Sequence, residues 1–175
     1  MGTERCTKIV SRSCKLKVCK NKLLDFLMSY KKYTVIHHTT TAPGSGKFMT
    51  DYHLVLDYHL GRVRIYEHHG PDFSENKAVD QVGPVCYSVA LVGNYDKAAL
   101  PLPLLSALIH TLTVKIKRRE IPAQIYGHCD IGKLAKASYT TSSPGKNVYE
   151  KLSYIRAQVA AALSSEHQFK HPFKR

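Results

Sequence analysis

The sequence predicts an α/β domain in which helices pack against one mixed β-sheet. Three observations lead there. Short β-branched or alternating runs are interspersed with longer segments of helical period. One apolar run, "VCYSVALVGNYD", is nearly continuous, as in a strand covered on both faces. The composition, 43% hydrophobic and 22% charged over 175 residues, suits one globular core and excludes a disordered chain. We expect a basic N-terminal extension with a helix over residues 1–30, the α/β domain over 31–165, and a basic tail over 166–175.

Taken in order, "CKLKVCK" has the period of an edge strand. "NKLLDFLMSYKK" clusters Leu23, Leu24, Phe26 and Leu27 on one helix face and closes on lysines, which suit a helix C-terminus. "KYTVIHHTT" is β-branched and apolar, hence a strand, and "APGSGK" breaks it. "YHLVLDYHLGRVRIYEH" alternates on both sides of His59-Leu60-Gly61, the pattern of a hairpin. "FSENKAVDQVGP" reads as a polar loop before the central strand. "LPLPLLSALIHTLTVKIKRRE" carries prolines near its start and cations at its end, both helix signals. "PAQIYGHCD" is a short strand running into a loop. From "SPG" onward one amphipathic helix is expected, with Val148, Leu152, Ile155 and Val159 on its apolar face.

A net charge of +13 favours an anionic partner: nucleic acid, an acidic membrane, or a polymer such as bacterial cell wall. No apolar run is long enough to span a membrane. The start, "MGTERCTKIVSRSCKLKVCK", lacks the apolar stretch of a secretory signal, so an intracellular or virion-associated location is expected. Five cysteines cannot all pair within one chain, and Cys6, Cys14 and Cys19 match no zinc-knuckle or redox spacing. Free thiols, or a Cys14–Cys19 bridge, remain.

Three polar pieces fall where α/β folds assemble sites, at strand ends and loops: His37-His38, "YGHCD" and "TTSSPG". The histidine pair admits two readings, metal ligation or polar residues at a strand edge. Successive side chains on a strand face opposite ways, so His38 is expected to pack or hydrogen-bond away from His37. By the same rule Cys129 points away from the side His128 faces, and Asp130 towards it. Ser143 before Pro144 also fits a helix N-cap. Cys86 fits the core, and His53, His59, His68 and His69 fit the surface or a cleft lining.

In sequence order, "VIHHTTT … DYHLVLD … SVALVGNYD … IYGHCD … TTSSPG" resembles the peptidoglycan recognition proteins and phage-lysozyme-type zinc amidases. The latter cleave the bond between N-acetylmuramic acid and L-alanine. The resemblance covers Tyr33 to Ile155. It implies their fold, a muramyl-peptide ligand, and a cleft lined by His37, Tyr52, His128, Thr141 and Ser143. It also implies that His37 and His128 match the first two zinc ligands. In an active enzyme Tyr52 would orient the attacking water and Thr141 would assist the oxyanion.

The family's third ligand is a cysteine or aspartate, and Ser143 stands in its place. A thiolate or carboxylate brings negative charge, whereas a serine hydroxyl is neutral and a poor donor near pH 7. Zinc is therefore expected to be weakly held or absent. The leading expectation is peptidoglycan recognition without turnover, and the alternative is an active amidase. A third reading is a repurposed fold whose basic surface binds nucleic acid or a protein. Two more departures concern the ligand groove. Fourteen residues separate His37 from Tyr52, too few for the helix that relatives insert there. The chain has no tryptophan, so stacking on sugars would fall to tyrosines such as Tyr52, Tyr58 or Tyr139.

Overall fold

The computed structural model describes residues 31–70, 85–134 and 141–168. The strand and helix expected within residues 1–30, the loop over 73–84, Tyr139 and residues 169–175 lie outside these. Among the described residues five strands form one sheet in the order β3-β2-β4-β1-β5. They are β1 (Tyr33–His38), β2 (Leu54–His59), β3 (Arg62–Glu67), β4 (Cys86–Leu91) and β5 (Ile125–Gly127). β1, β2, β4 and β5 run parallel and β3 is antiparallel to β2, so the sheet is mixed, as the sequence predicts. β4 is third of the five and buried at all six residues, which explains its unbroken apolar sequence.

The β2–β3 hairpin turns on Leu60 and Gly61, whose φ values are 51° and 74°. Positive φ at both central residues is the signature of the type I′ turn, whose twist matches the flanking strands. Gly61 adopts this conformation at little cost; Leu60 is held there by the hairpin.

The described residues also form four α-helices: α1 (Leu102–Lys117), α2 (His128–Leu134), α3 (Lys146–Tyr149) and α4 (Leu152–Gln168). Leu104, Leu108 and Leu112 of α1 pack with Leu152, Ile155 and Val159 of α4 against Ile36, Leu54, Leu56, Tyr87, Val89 and Leu91. The three- and four-residue spacings put each set on one helix face, and this face of the sheet carries the main core. Lys115 ties the end of α1 to β3 through Glu67 and to the following turn through Glu120. On the opposite face Val35 and Cys86 pack with Ile131 of α2. Val55, Ala90 and Val92 form a second patch there, under Met49, Tyr52 and Tyr66.

Three expectations need correction. β5 runs into α2 at His128, not into a loop. The single helix expected after Pro144 is two, α3 and α4, interrupted at Glu150 and Lys151. Tyr58 packs against the main core, away from the face that carries His37. In addition α4 reaches Gln168, so residues 166–168 continue the helix and do not begin the tail. No helix among the described residues is long and apolar enough to cross a membrane.

Candidate functional site

Strand register assembles the site. His37 pairs with Ala90, Ala90 with Val55, and Val55 with Tyr66. Paired residues share a face, so Tyr66, Val55, Ala90 and His37 form one row across the side of the sheet opposite the main core. β5 ends at Gly127, opposite Ile36, which delivers His128 beside His37. The His37 and His128 ring centroids are 4.5 Å apart, and the Tyr52 ring centroid lies 5.3 Å from that of His37. This constellation sits at the carboxyl ends of parallel strands, where open α/β sheets hold ligands.

His37 is 1% exposed, and its Nε2 is buried without a hydrogen-bond partner. Burial, reinforced by His128, His38 and His53, holds its pKa well below the usual imidazole value. The ring is therefore neutral at physiological pH. An unsatisfied buried nitrogen is uncommon, and an ion at this position would satisfy it. Tyr52 is also neutral there, since burial and then Asp51 push its phenol pKa up.

His38 faces the other way, as expected: its Nδ1 accepts the Tyr95 N–H at 3.2 Å and its Nε2 lies 3.9 Å from Asp96. Ser143 is 7% exposed, and its Oγ accepts the His38 N–H at 3.3 Å. Its carbonyl accepts the Cys129 N–H at 2.8 Å, and its own N–H donates to the Thr141 Oγ1 at 3.2 Å. The 141–145 segment is thereby stitched to the end of β1 and to the first turn of α2. Ser143 does not cap α3, whose N-cap is Gly145. Asp96 secures the same segment by accepting the Ser142 hydroxyl at 2.7 Å and the Lys146 N–H at 3.0 Å. Those bonds hold its carboxyl below the usual range, the Ser142 bond first.

No protein-family model matches the sequence, and no curated protein matches it. Solved structures do. The endolysin N-acetylmuramoyl-L-alanine amidase LysCS from Clostridium intestinale URNW aligns over 76% of this chain and 86% of its own, with TM-score 0.56 and 16% identity. The amidase LysC from the same organism gives TM-score 0.51 at 14% identity, over 76% of this chain and 88% of its own. Drosophila PGRP-LB gives TM-score 0.51 at 16% identity, over 71% of this chain and 81% of its own. The chain has the amidase/peptidoglycan-recognition fold.

Within the amidase fold, the metal question reduces to donors. The partnerless Nε2 of His37 and the adjacent His128 ring suit two ligand positions. The third position, by resemblance, holds a neutral hydroxyl already bonded to a backbone N–H. Among the described residues no three His, Cys, Asp or Glu side chains converge as a metal site. Catalytic zinc uses three protein ligands and an open fourth position, so the two imidazoles would need a third donor that the described residues do not bring to them. Asp130 does not fill the gap. Because His128 opens a helix, the alternation rule for strands does not apply, and the Asp130 carboxylate turns to the Gly127 N–H, the Tyr149 hydroxyl and Arg156. Burial pushes the Cys129 thiol pKa up, so it stays a thiol.

Sequence reasoning missed two residues of this face. His53, expected at the surface or lining the cleft, is fully buried, with Nδ1 3.0 Å from the Ser88 Oγ and accepting the Ser88 N–H at 3.2 Å. Asp57 is fully buried, and its carboxylate accepts the N–H groups of Gly44 (2.9 Å) and Gly46 (3.1 Å). It pins the segment before Tyr52, which forms a 3₁₀ turn at Gly46–Phe48. The alternation of "HLVLD" already placed His53, Val55 and Asp57 together on one face.

Proposed function

We propose that the chain recognises muramyl peptides of peptidoglycan in the cleft of His37, Tyr52, His128, Thr141 and Ser143, with a zinc site too weak for amidase turnover. The observation that carries this reading is the neutral Ser143 hydroxyl, bonded to the His38 N–H, where the resemblance expects an anionic ligand. The amidase fold supports the ligand class. The cleft chemistry supports recognition: the half-buried Tyr52 and His128 side chains, a neutral phenol and an imidazole, offer hydrogen bonds that match the amides and hydroxyls of a muramyl peptide. With two imidazoles and an alcohol, the site should not hold zinc firmly enough to bring water's pKa down towards about 7. No catalytic step is therefore assigned to it.

The test is calorimetric titration with a muramyl peptide, beside mass spectrometry of the same mixture incubated with added zinc. Binding that weakens in His128→Ala, with the muramyl peptide intact, is the expected result. Release of the free stem peptide would establish an active amidase instead. Absence of muropeptide binding, together with DNA affinity that falls steeply with salt, would favour the repurposed basic fold.

A further inference from the structure

We propose that Phe48, with Lys47 against it, is a stacking platform for a pyranose ring of an anionic glycan at the border of the His37 cleft. This rests on the muramyl-peptide reading and adds which part of the ligand the platform takes. Phe48 is 68% exposed, on the 3₁₀ turn that occupies the short interval between His37 and Tyr52. Its neighbour Met49 packs with Tyr52 over Val55 and Ala90, and Ala90 is the register partner of His37. The turn therefore borders the cleft.

The turn is also rigid. Asp57 accepts the Gly44 and Gly46 N–H groups, and the Gly46 carbonyl lies 3.2 Å from the His68 Nε2. Gly46 sits so close that a Cβ would come within 2.9 Å of both Asp57 and Tyr66. An exposed aromatic on a fixed backbone loses little freedom on binding, which is what a preorganised contact requires. Leu60 and Leu102 are comparably exposed, but neither offers a flat ring and neither stands beside the cleft.

Charge identifies the kind of sugar. The Lys47 Nζ lies 4.7 Å from the Phe48 ring centroid. Arg62 and Arg64 are exposed, and alternation from Tyr66 puts them on the same side of the sheet as the cleft. A ring accompanied by cations suits a sugar whose C–H face is apolar and whose substituent is a carboxylate, as in an ether-linked lactyl sugar. Among the described residues Phe48 is more exposed than the other exposed aromatics, Tyr149 (42%) and Tyr154 (50%), and the Tyr149 hydroxyl is already bonded to Asp130.

The test titrates wild type, Phe48→Ala and Phe48→Tyr with three probes. They are the N-acetylglucosamine–N-acetylmuramic acid disaccharide, the same disaccharide carrying its stem peptide, and the free stem peptide. Phe48→Ala should bind both disaccharide probes about tenfold more weakly, the loss expected when roughly half a phenyl ring goes unburied. Phe48→Tyr should restore binding, free-stem-peptide affinity should not change, and all melting temperatures should agree. Unchanged disaccharide affinity in Phe48→Ala would overturn the platform while leaving the muramyl-peptide reading standing. Wild type that binds none of the probes would overturn both. Single-stranded DNA held through Phe48 more tightly than the disaccharide would assign the platform to nucleobases instead and so refute it.

Discussion

Replacing Gly145 by alanine tests how tightly the 141–145 segment is wedged against the site. Gly145 has φ +86°, and an added Cβ would lie 2.7 Å from the His38 Nδ1, 2.7 Å from the Tyr95 carbonyl carbon and 2.9 Å from the Asp96 nitrogen. Two of these are backbone atoms, which cannot swing aside. Gly61 supplies the uncrowded reference: its φ is +74°, and a Cβ there meets nothing within 4 Å. A left-handed conformation costs an L side chain about 1–2 kcal/mol at Gly61, and the φ 86°, ψ 147° backbone of Gly145, a region that glycine alone favours, costs about 1–3 kcal/mol. Forcing atoms into a filled space adds about 1–3 kcal/mol at Gly145 alone. Gly61→Ala should therefore lose about 1–2 kcal/mol and Gly145→Ala about 2–6 kcal/mol. Urea denaturation of both variants reads the difference as a shift in midpoint at constant slope. Losses that agree within about 0.5 kcal/mol would refute the close approach and the wedged segment with it.

Two further perturbations address the groups that sequence reasoning missed or only located. Asp57→Ala strands the Gly44 and Gly46 N–H groups, a loss of about 2–4 kcal/mol, while Asp57→Asn keeps an acceptor oxygen and should lose less. Equal losses in the same denaturation assay would show that the carboxylate does not hold the turn. The pH dependence follows from His37. Its folded pKa is depressed, by burial first, so below the unfolded value of about 6.5 the unfolded chain binds a proton that the folded chain refuses. Stability should fall as pH drops from 7 to 5, each such histidine contributing up to about 1.4 kcal/mol per pH unit. His38 is depressed in the same direction, so His37→Gln should flatten the slope without abolishing it. A slope that His37→Gln leaves unchanged would contradict the buried neutral imidazole.

The parts of this molecule that were legible in its sequence depend on local pattern. The β4 run, the Leu60-Gly61 hairpin and the Val148, Leu152, Ile155 and Val159 stripe each carry their signal within a few residues, and the structure agrees with each. The opposed faces of His37 and His38 followed from strand periodicity alone. Legibility ended where long-range partners decide. Ser88 satisfies His53 from 35 positions away, so a polar residue could be fully buried without a local sign. Ser143 has its hydroxyl claimed by a backbone N–H 105 positions distant, which displaced the plausible local N-cap. In "GHCD" the helix start is marked only by Gly127 and by Asp130 three residues on, whose carboxylate accepts the Gly127 N–H; a strand-like reading of the segment misses this cap and points Asp130 the wrong way. Tyr58 was a different kind of miss: its parity with Leu54 and Leu56 already put it on the core face.

The most direct measurement is zinc stoichiometry and affinity of wild type, Ser143→Cys and Ser143→Asp, by metal analysis after dialysis and by competition with a chromophoric chelator. Even the loss of a supporting partner costs a metal site about 10–100-fold, so restoring an anionic ligand should tighten zinc by at least that factor. Wild type is predicted to emerge with well under one equivalent, and both variants with close to one. Wild type that retains a full equivalent through dialysis, with no gain in either variant, would contradict the claim that Ser143 is what weakens this site.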